Sequence, residues 1–70
     1  MQDTTKTAER YILGMERARA DAASGLPWPD AASISMARTE AAWARRNGRR
    51  GYRAYWLGYL RHVERHHASV

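Results

Sequence analysis

The stretch GYRAYWLGYLRHV, residues 51–63, decides the fold. Tyr52, Tyr55, Trp56, Tyr59, Leu60 and Val63 recur at i, i+3, i+4, i+7, i+8 and i+11, which is one broad face of a helix with a 3.6-residue period. A strand needs a period of two, so this spacing excludes one. Each aromatic ring can remove roughly 150–250 Å² from water, more than any other segment of the chain offers per residue. Something must cover that face. Two readings are open: earlier helices bury the stripe as a core, or part of it is an interface, where Tyr and Trp bury a ring and keep a polar edge hydrogen-bonded.

Working outward, the chain has 70 residues, enough for a single small domain in which burial barely outweighs chain entropy. With no cysteine, it has neither disulfides nor thiolate metal sites. The start, MQDTTKTAER, is polar and lacks the apolar core of a signal peptide, and no apolar run reaches membrane-spanning length. A cytoplasmic location is therefore expected. The stabilising options left are tight helix packing and self-association, so a homodimer is expected as well.

Twelve basic residues oppose seven acidic ones, for a net charge of +5, and every basic residue except Lys6 is arginine. Arginine suits phosphate and carboxylate recognition through its planar fork; a GC-rich coding sequence would equally enrich Arg and Ala. Position is more informative. Arg45, Arg46, Arg49, Arg50 and Arg53 crowd one junction, while the carboxylates are spread along the chain.

The first helix is expected from residues 3–5 to residue 23 or 24, with Asp3 or Thr5 near its N-terminal cap. Its inward face reads Ala8, Tyr11, Ile12, Met15, Ala18 and Ala22. Gly14, which costs a helix up to about 1 kcal/mol relative to Ala, suggests close approach by a neighbouring aromatic. Gly25 ends the helix, and Gly25-Leu26-Pro27-Trp28-Pro29 is the clearest break in the chain. Leu26 and Trp28 are expected to plug the open end of a helical hairpin, the alternative being that Trp28 stands out as a binding anchor.

A second helix is expected over residues 29–46, with Pro29 in its first turn. Ile34, Ala37, Ala41 and Ala44 form a narrow stripe that lets another helix backbone come near. Met36 and Trp43 lie on a different side with Glu40 between them, the strongest hint of a partner surface in the sequence. Asn47 and Gly48 both tolerate a left-handed backbone, so residues 47–51 read as a break rather than a kink. The third helix then covers residues 50–65. On it, Ala54 and Gly58 place small side chains away from the aromatic stripe, where another helix can pack.

His62 and His66 have the i, i+4 spacing of a metal pair, but without cysteines the further ligands of a stable zinc site are missing. No metal and no cofactor are expected. No nucleophile elbow, phosphate loop or paired carboxylates point to catalysis, so a non-enzyme is expected. The arginine cluster and the glycine turn also fit a small helix-turn-helix protein that binds DNA through phosphate neutralisation. Against this, Tyr52, Tyr55, Trp56 and Tyr59 follow the turn at once, where a recognition helix needs exposed polar side chains.

The segment Ala8-Glu9-Arg10-Tyr11, the turn Gly25-Leu26-Pro27-Trp28-Pro29 and residues 51–60, in a chain of this length, resemble the small quorum-sensing anti-activator proteins encoded by Mu-like phages of Pseudomonas. The resemblance implies a small, helical, dimeric host-takeover inhibitor acting in the host cytoplasm. It would bind the DNA-binding domain of a LuxR-type transcription activator; binding of a type IV pilus assembly ATPase is also known in the family. A chain at +5 would be repelled by the basic DNA-reading face of an activator unless Glu9, Glu16, Asp21 or Glu40 supplies a local acidic contact.

Together these readings give an all-α protomer, a helical hairpin or three-helix unit forming a homodimer, that binds a host protein. The expected partner-binding residues are Met36, Glu40, Trp43, Arg45, Arg46, Arg49, Arg50 and Arg53. The alternative is a small basic DNA-binding regulator.

Overall fold

The aromatic stripe forms the middle of the domain. The computed structural model describes residues 3–24 and 28–68, with side chains for 6–24 and 28–66. Within it the chain forms α1 (Asp3–Ala22), α2 (Ala31–Arg46) and α3 (Arg50–Ala68). Helix α3 packs against both α1 and α2, and among the described residues α1 and α2 make no backbone approach to each other. Trp56, Tyr59 and Val63 on α3 join Ala18 of α1 with Ala37 and Ala41 of α2 in one buried cluster, against which Trp28, Ile34, Tyr55 and Leu60 also pack. The stripe is thus core along most of its length. Tyr52 is the exception, with 44% of its surface exposed.

Small residues determine how closely the helices meet. Gly14 of α1 faces the α3 backbone: a Cβ built there would stand 2.7 Å from the Tyr55 carbonyl carbon and 3.1 Å from the Tyr59 nitrogen. Gly58 of α3 is the reciprocal contact, its Cβ position lying 2.9 Å from the Tyr11 carbonyl carbon. Gly14 and Ala18 on one helix and Ala54 and Gly58 on the other therefore form a crossing at backbone contact. There, many small dispersion gains and Cα–H···O contacts replace side-chain interdigitation. The expected close neighbour of Gly14 is the peptide of an aromatic residue rather than its ring. On α2, Ala37, Ala41 and Ala44 are buried as the stripe predicts.

Three expectations need correction. Ala8 and Ile12 do not face inward: Ala8 is exposed, and Ile12 and its neighbour Leu13 are 53% and 48% exposed. The reason is geometric, because the Gly14 crossing turns Tyr11, Gly14, Met15 and Ala18 toward α3 and swings the Ile12–Leu13 side outward. The second helix begins at Ala31, not Pro29. Asp30 is its N-cap, accepting a hydrogen bond from the Ser33 N–H at 2.9 Å, and Pro29 precedes it after a cis Trp28–Pro29 peptide. The third helix continues to Ala68. Gly25 and Leu26, expected to end α1 and to plug the hairpin, lie outside the described residues.

The break after α2 is a Schellman cap. Gly48 has φ +67°, its N–H donates to the Arg45 carbonyl at 3.4 Å, and the Arg49 N–H donates to the Ala44 carbonyl at 2.9 Å. Asn47 adds a side-chain hydrogen bond to the Trp43 carbonyl at 2.8 Å. This cap reverses the chain, so α2 runs antiparallel to α3 while α1 runs parallel to it.

A polar chain locks the opposite end. The Trp28 indole N–H donates to the Tyr59 hydroxyl at 2.7 Å, which donates in turn to Asp21 Oδ2 at 2.9 Å. Arg17 stands 3.8 Å from that carboxylate and donates to the Tyr55 hydroxyl at 3.1 Å. Burial, opposed by the Trp28 hydrogen bond and assisted by Asp21, pushes the Tyr59 phenol above its ordinary pKa. Trp28 closes this end, but against α3 rather than in a hairpin of α1 and α2, which do not meet; its ring also lies against His62 and His66 at centroid distances of 5.9 and 5.3 Å. The two histidines thus flank an indole.

Candidate protein-binding surface

At the other end, where α2 hands over to α3, two large aromatics stay in solvent. Trp43 and Tyr52 are each 44% exposed and meet edge to face, with ring centroids 5.9 Å apart. The α2–α3 turn creates this pair: it brings the last two turns of α2 beside the first turn of α3, on a side that α1 does not cover. The Tyr52 hydroxyl donates to Glu40 Oε1. This hydrogen bond raises the Tyr52 pKa, while the nearby Trp56 indole acts in the opposite direction. Trp56 itself is buried in an edge-to-face contact with Tyr52, ring centroids 6.3 Å apart.

Around the pair lies a shallow groove of about 550 Å³ lined by Thr39, Glu40, Trp43, Arg46, Arg49 and Tyr52. An aromatic floor with arginine walls is the composition that dominates binding energy at protein interfaces. A second hollow, between Ala41, Ala42, Arg45, Arg46 and Arg53, adjoins it on the other side of α2. The structure therefore gathers Glu40, Trp43, Arg46 and Arg49 into one groove, sets Arg45 and Arg53 in its neighbour, and puts Arg50 toward α1. Met36 is 45% exposed on the same side of α2 but lies two turns away and does not line the groove.

Sequence reasoning missed Tyr52 as a surface residue because it belongs to the helical stripe of the core. The available signal was its position. It stands in the first turn of α3, directly after a tight break.

None of Arg45, Arg46, Arg49, Arg50 and Arg53 forms an ion pair or side-chain hydrogen bond among the described residues; the ion pairs found there are Arg17–Asp21 and Arg61–Glu64. The groove has no constellation for covalent or acid–base chemistry, and no group of three or more metal-type ligands occurs among the described residues. No described helix is long and apolar enough to cross a membrane. Together, fold and surface define a small all-α domain with a solvent-facing aromatic groove beside an arginine-rich end. Comparison with protein-family models, curated proteins and solved structures finds no match to this chain.

Proposed function

We propose that this domain is a protein-binding inhibitor that engages its target through the Trp43–Tyr52 groove. The observation that carries the reading is the exposed edge-to-face pair walled by Arg46 and Arg49. A tiny domain with little apolar area to spare leaves two large rings in water, and Trp, Tyr and Arg are the residues enriched at binding hot spots. The phage anti-activator resemblance names the target class: the DNA-binding domain of a LuxR-type activator, with a type IV pilus assembly ATPase as a further partner in that family. Glu40, held beside Tyr52, is the acidic contact through which a basic target face is tolerated. Dimerisation belongs to the same proposal, because Ile12 and Leu13 form an apolar side of α1 that α3 leaves uncovered. Sedimentation showing only an 8.0 kDa monomer at micromolar concentration refutes the dimer.

The test of function is calorimetric titration of a LuxR-type DNA-binding domain with parent and Trp43→Ala protein. Truncating an interface anchor weakens binding by at least about 1 kcal/mol, and unaltered helicity confirms that the fold persists. Equal affinity of folded Trp43→Ala rules out the groove.

One observation favours the second reading, a basic DNA-binding regulator: five arginines without ion pairs share one end of the bundle. In that case affinity for duplex DNA falls steeply with salt and follows Arg49 and Arg50 rather than Trp43. The first turns of α3 oppose it, because Tyr52 and Tyr55 are engaged with Glu40 and Arg17 rather than free to read base edges.

A further inference from the structure

The arginine-rich end holds a third concavity, which shares Arg49 and Tyr52 with the Trp43 groove but extends to α1 residues that the protein-binding reading does not use. It is a cleft of about 550 Å³ between the start of α1 and the α2–α3 turn, and its charged lining among the described side chains is Lys6, Arg10, Arg49 and Arg50, with no carboxylate among them. The cations come from two separate helices and converge. The Arg10 stem lies over Gly51, its Cγ 3.6 Å from where a Cβ would stand on that residue, so α1 delivers its guanidinium to the first turn of α3. None of the four makes an ion pair or side-chain hydrogen bond among the described residues.

Four like charges line one hollow without an anionic side chain among the described residues there to offset them. The local helix chemistry makes the conflict worse. The first turn of α3 has no acidic residue, Arg49 stands where an acceptor side chain would cap it, and Arg49 and Arg50 place positive charge at the positive pole of the helix. Elsewhere the chain follows these rules: Asp30 caps α2, and Arg45 and Arg46 sit at the favourable C-terminal pole of that helix. A helix start that breaks local rules, as this one does and the Asp30-capped start of α2 does not, is where a functional or strained site is expected.

We propose that this cleft binds an oligophosphate group, two or more linked phosphates carried by a small molecule. The balance of charge fits, since the four cations more than neutralise a diphosphate at neutral pH. The guanidinium forks offer paired donors to phosphate oxygens, and the free N–H groups opening α3 add donors of the same sign of potential. A compact ligand suits the site better than a nucleic-acid backbone because the four charges converge on one hollow instead of tracking along a stripe.

The experiment is an amide-resolved NMR titration of the full chain with inorganic pyrophosphate at about 0.15 M salt, with adenosine diphosphate as a parallel arm. Saturable shifts in the amides of Gly48, Arg49, Arg50 and Gly51 are expected. Lys6→Gln with Arg10→Gln should weaken binding at least tenfold. The charge-matched pair Arg45→Gln with Arg53→Gln, in the neighbouring hollow, should weaken it less than threefold. Should the first double variant lose helicity, Lys6→Gln alone, at an exposed position, serves instead, with at least a threefold loss expected. Equal affinity for pyrophosphate and adenosine diphosphate identifies the phosphates as the recognised group, and tighter diphosphate nucleotide binding extends the site to a nucleoside; both uphold it. Absence of saturation at millimolar pyrophosphate overturns the proposal. So does an equal loss in the two double variants, which signifies diffuse attraction, or binding of a DNA duplex without pyrophosphate. Because Lys6 and Arg10 lie outside the Trp43 groove, this test fails or succeeds independently of the inhibitor reading.

Discussion

Replacing Gly14 by Ala isolates the contact on which the domain depends, because two effects of opposite sign act on one methyl group. Helix propensity favours Ala at an interior position by about 1 kcal/mol, so an isolated α1 would gain stability. The tertiary structure opposes it. The added carbon would stand 2.7 Å from the Tyr55 carbonyl carbon, closer still to its oxygen, and 3.1 Å from the Tyr59 nitrogen, against 3.4 Å for ordinary contact. All three atoms are backbone of a continuous helix and have no rotamer by which to withdraw. To clear the carbon alone, α1 and α3 must part by about 0.7 Å, and a gap of that size forfeits between a quarter and a half of the dispersion well for every pair lining the crossing. Overpacking typically costs about 1–3 kcal/mol, and rigid neighbours place this case at or above the upper end. The net loss is about 2 kcal/mol, which for a domain of this size lowers the melting temperature by roughly 8–16 °C. Thermal unfolding followed by far-UV circular dichroism measures it. Gly51→Ala is the internal control: its methyl meets only the flexible Arg10 side chain at 3.6 Å, so this variant should melt within a few degrees of the parent. If Gly14→Ala melts at or above the parent temperature, the backbone crossing of α1 and α3 is wrong.

Trp56→Ala removes the largest side chain of the buried cluster and should destabilise the protein by about 3–5 kcal/mol; an unchanged denaturation midpoint would place that face in solvent. Tyr59→Phe keeps the ring but deprives the Trp28 N–H of its acceptor and Asp21 of a donor, with an expected cost of about 1–3 kcal/mol in urea unfolding. A loss no larger than that of Tyr11→Phe would dissolve the claimed chain. The His62 imidazole is held below its ordinary pKa by burial first, then by Arg19, His66 and Arg65. The unfolded chain therefore binds this proton more tightly than the native one, so stability is fullest above the unfolded pKa and declines as pH falls from there through the depressed native value. Melting curves at neutral and mildly acidic pH should show the decline, and His62→Gln should reduce it; an identical pH dependence in the variant would assign the effect elsewhere.

Much of this architecture is legible in one dimension. The spacing of Tyr55, Trp56, Tyr59 and Val63 allows only a helix with a buried face, and that face is the centre of the domain. The alanine stripe of α2 and the Asn47-Gly48 break likewise carry their own explanations, because small side chains permit close packing and a left-handed residue ends a helix. Periodicity, however, reports only that a helix has an apolar side, not how far along it cover extends or which way the side is turned. Tyr52 fits the stripe as well as Tyr59 does, yet α1 does not cover the side on which it meets Trp43, so it is exposed there and enlarges the binding surface. Ile12 fits the inward pattern of α1 as well as Met15 does, but backbone contact at Gly14 and Gly58 sets the rotation of that helix and turns Ile12 and Leu13 out. The arginine cluster, a single run in the sequence, divides among three hollows, and Lys6 and Arg10 complete one of them from the far end of the chain. The chain by itself determined the helices, their breaks and the central stripe, because these depend on residues a few positions apart. Only the tertiary structure decided helix rotation, the exposed end of the stripe and the grouping of the basic side chains into hollows, because these depend on contacts between residues of different helices.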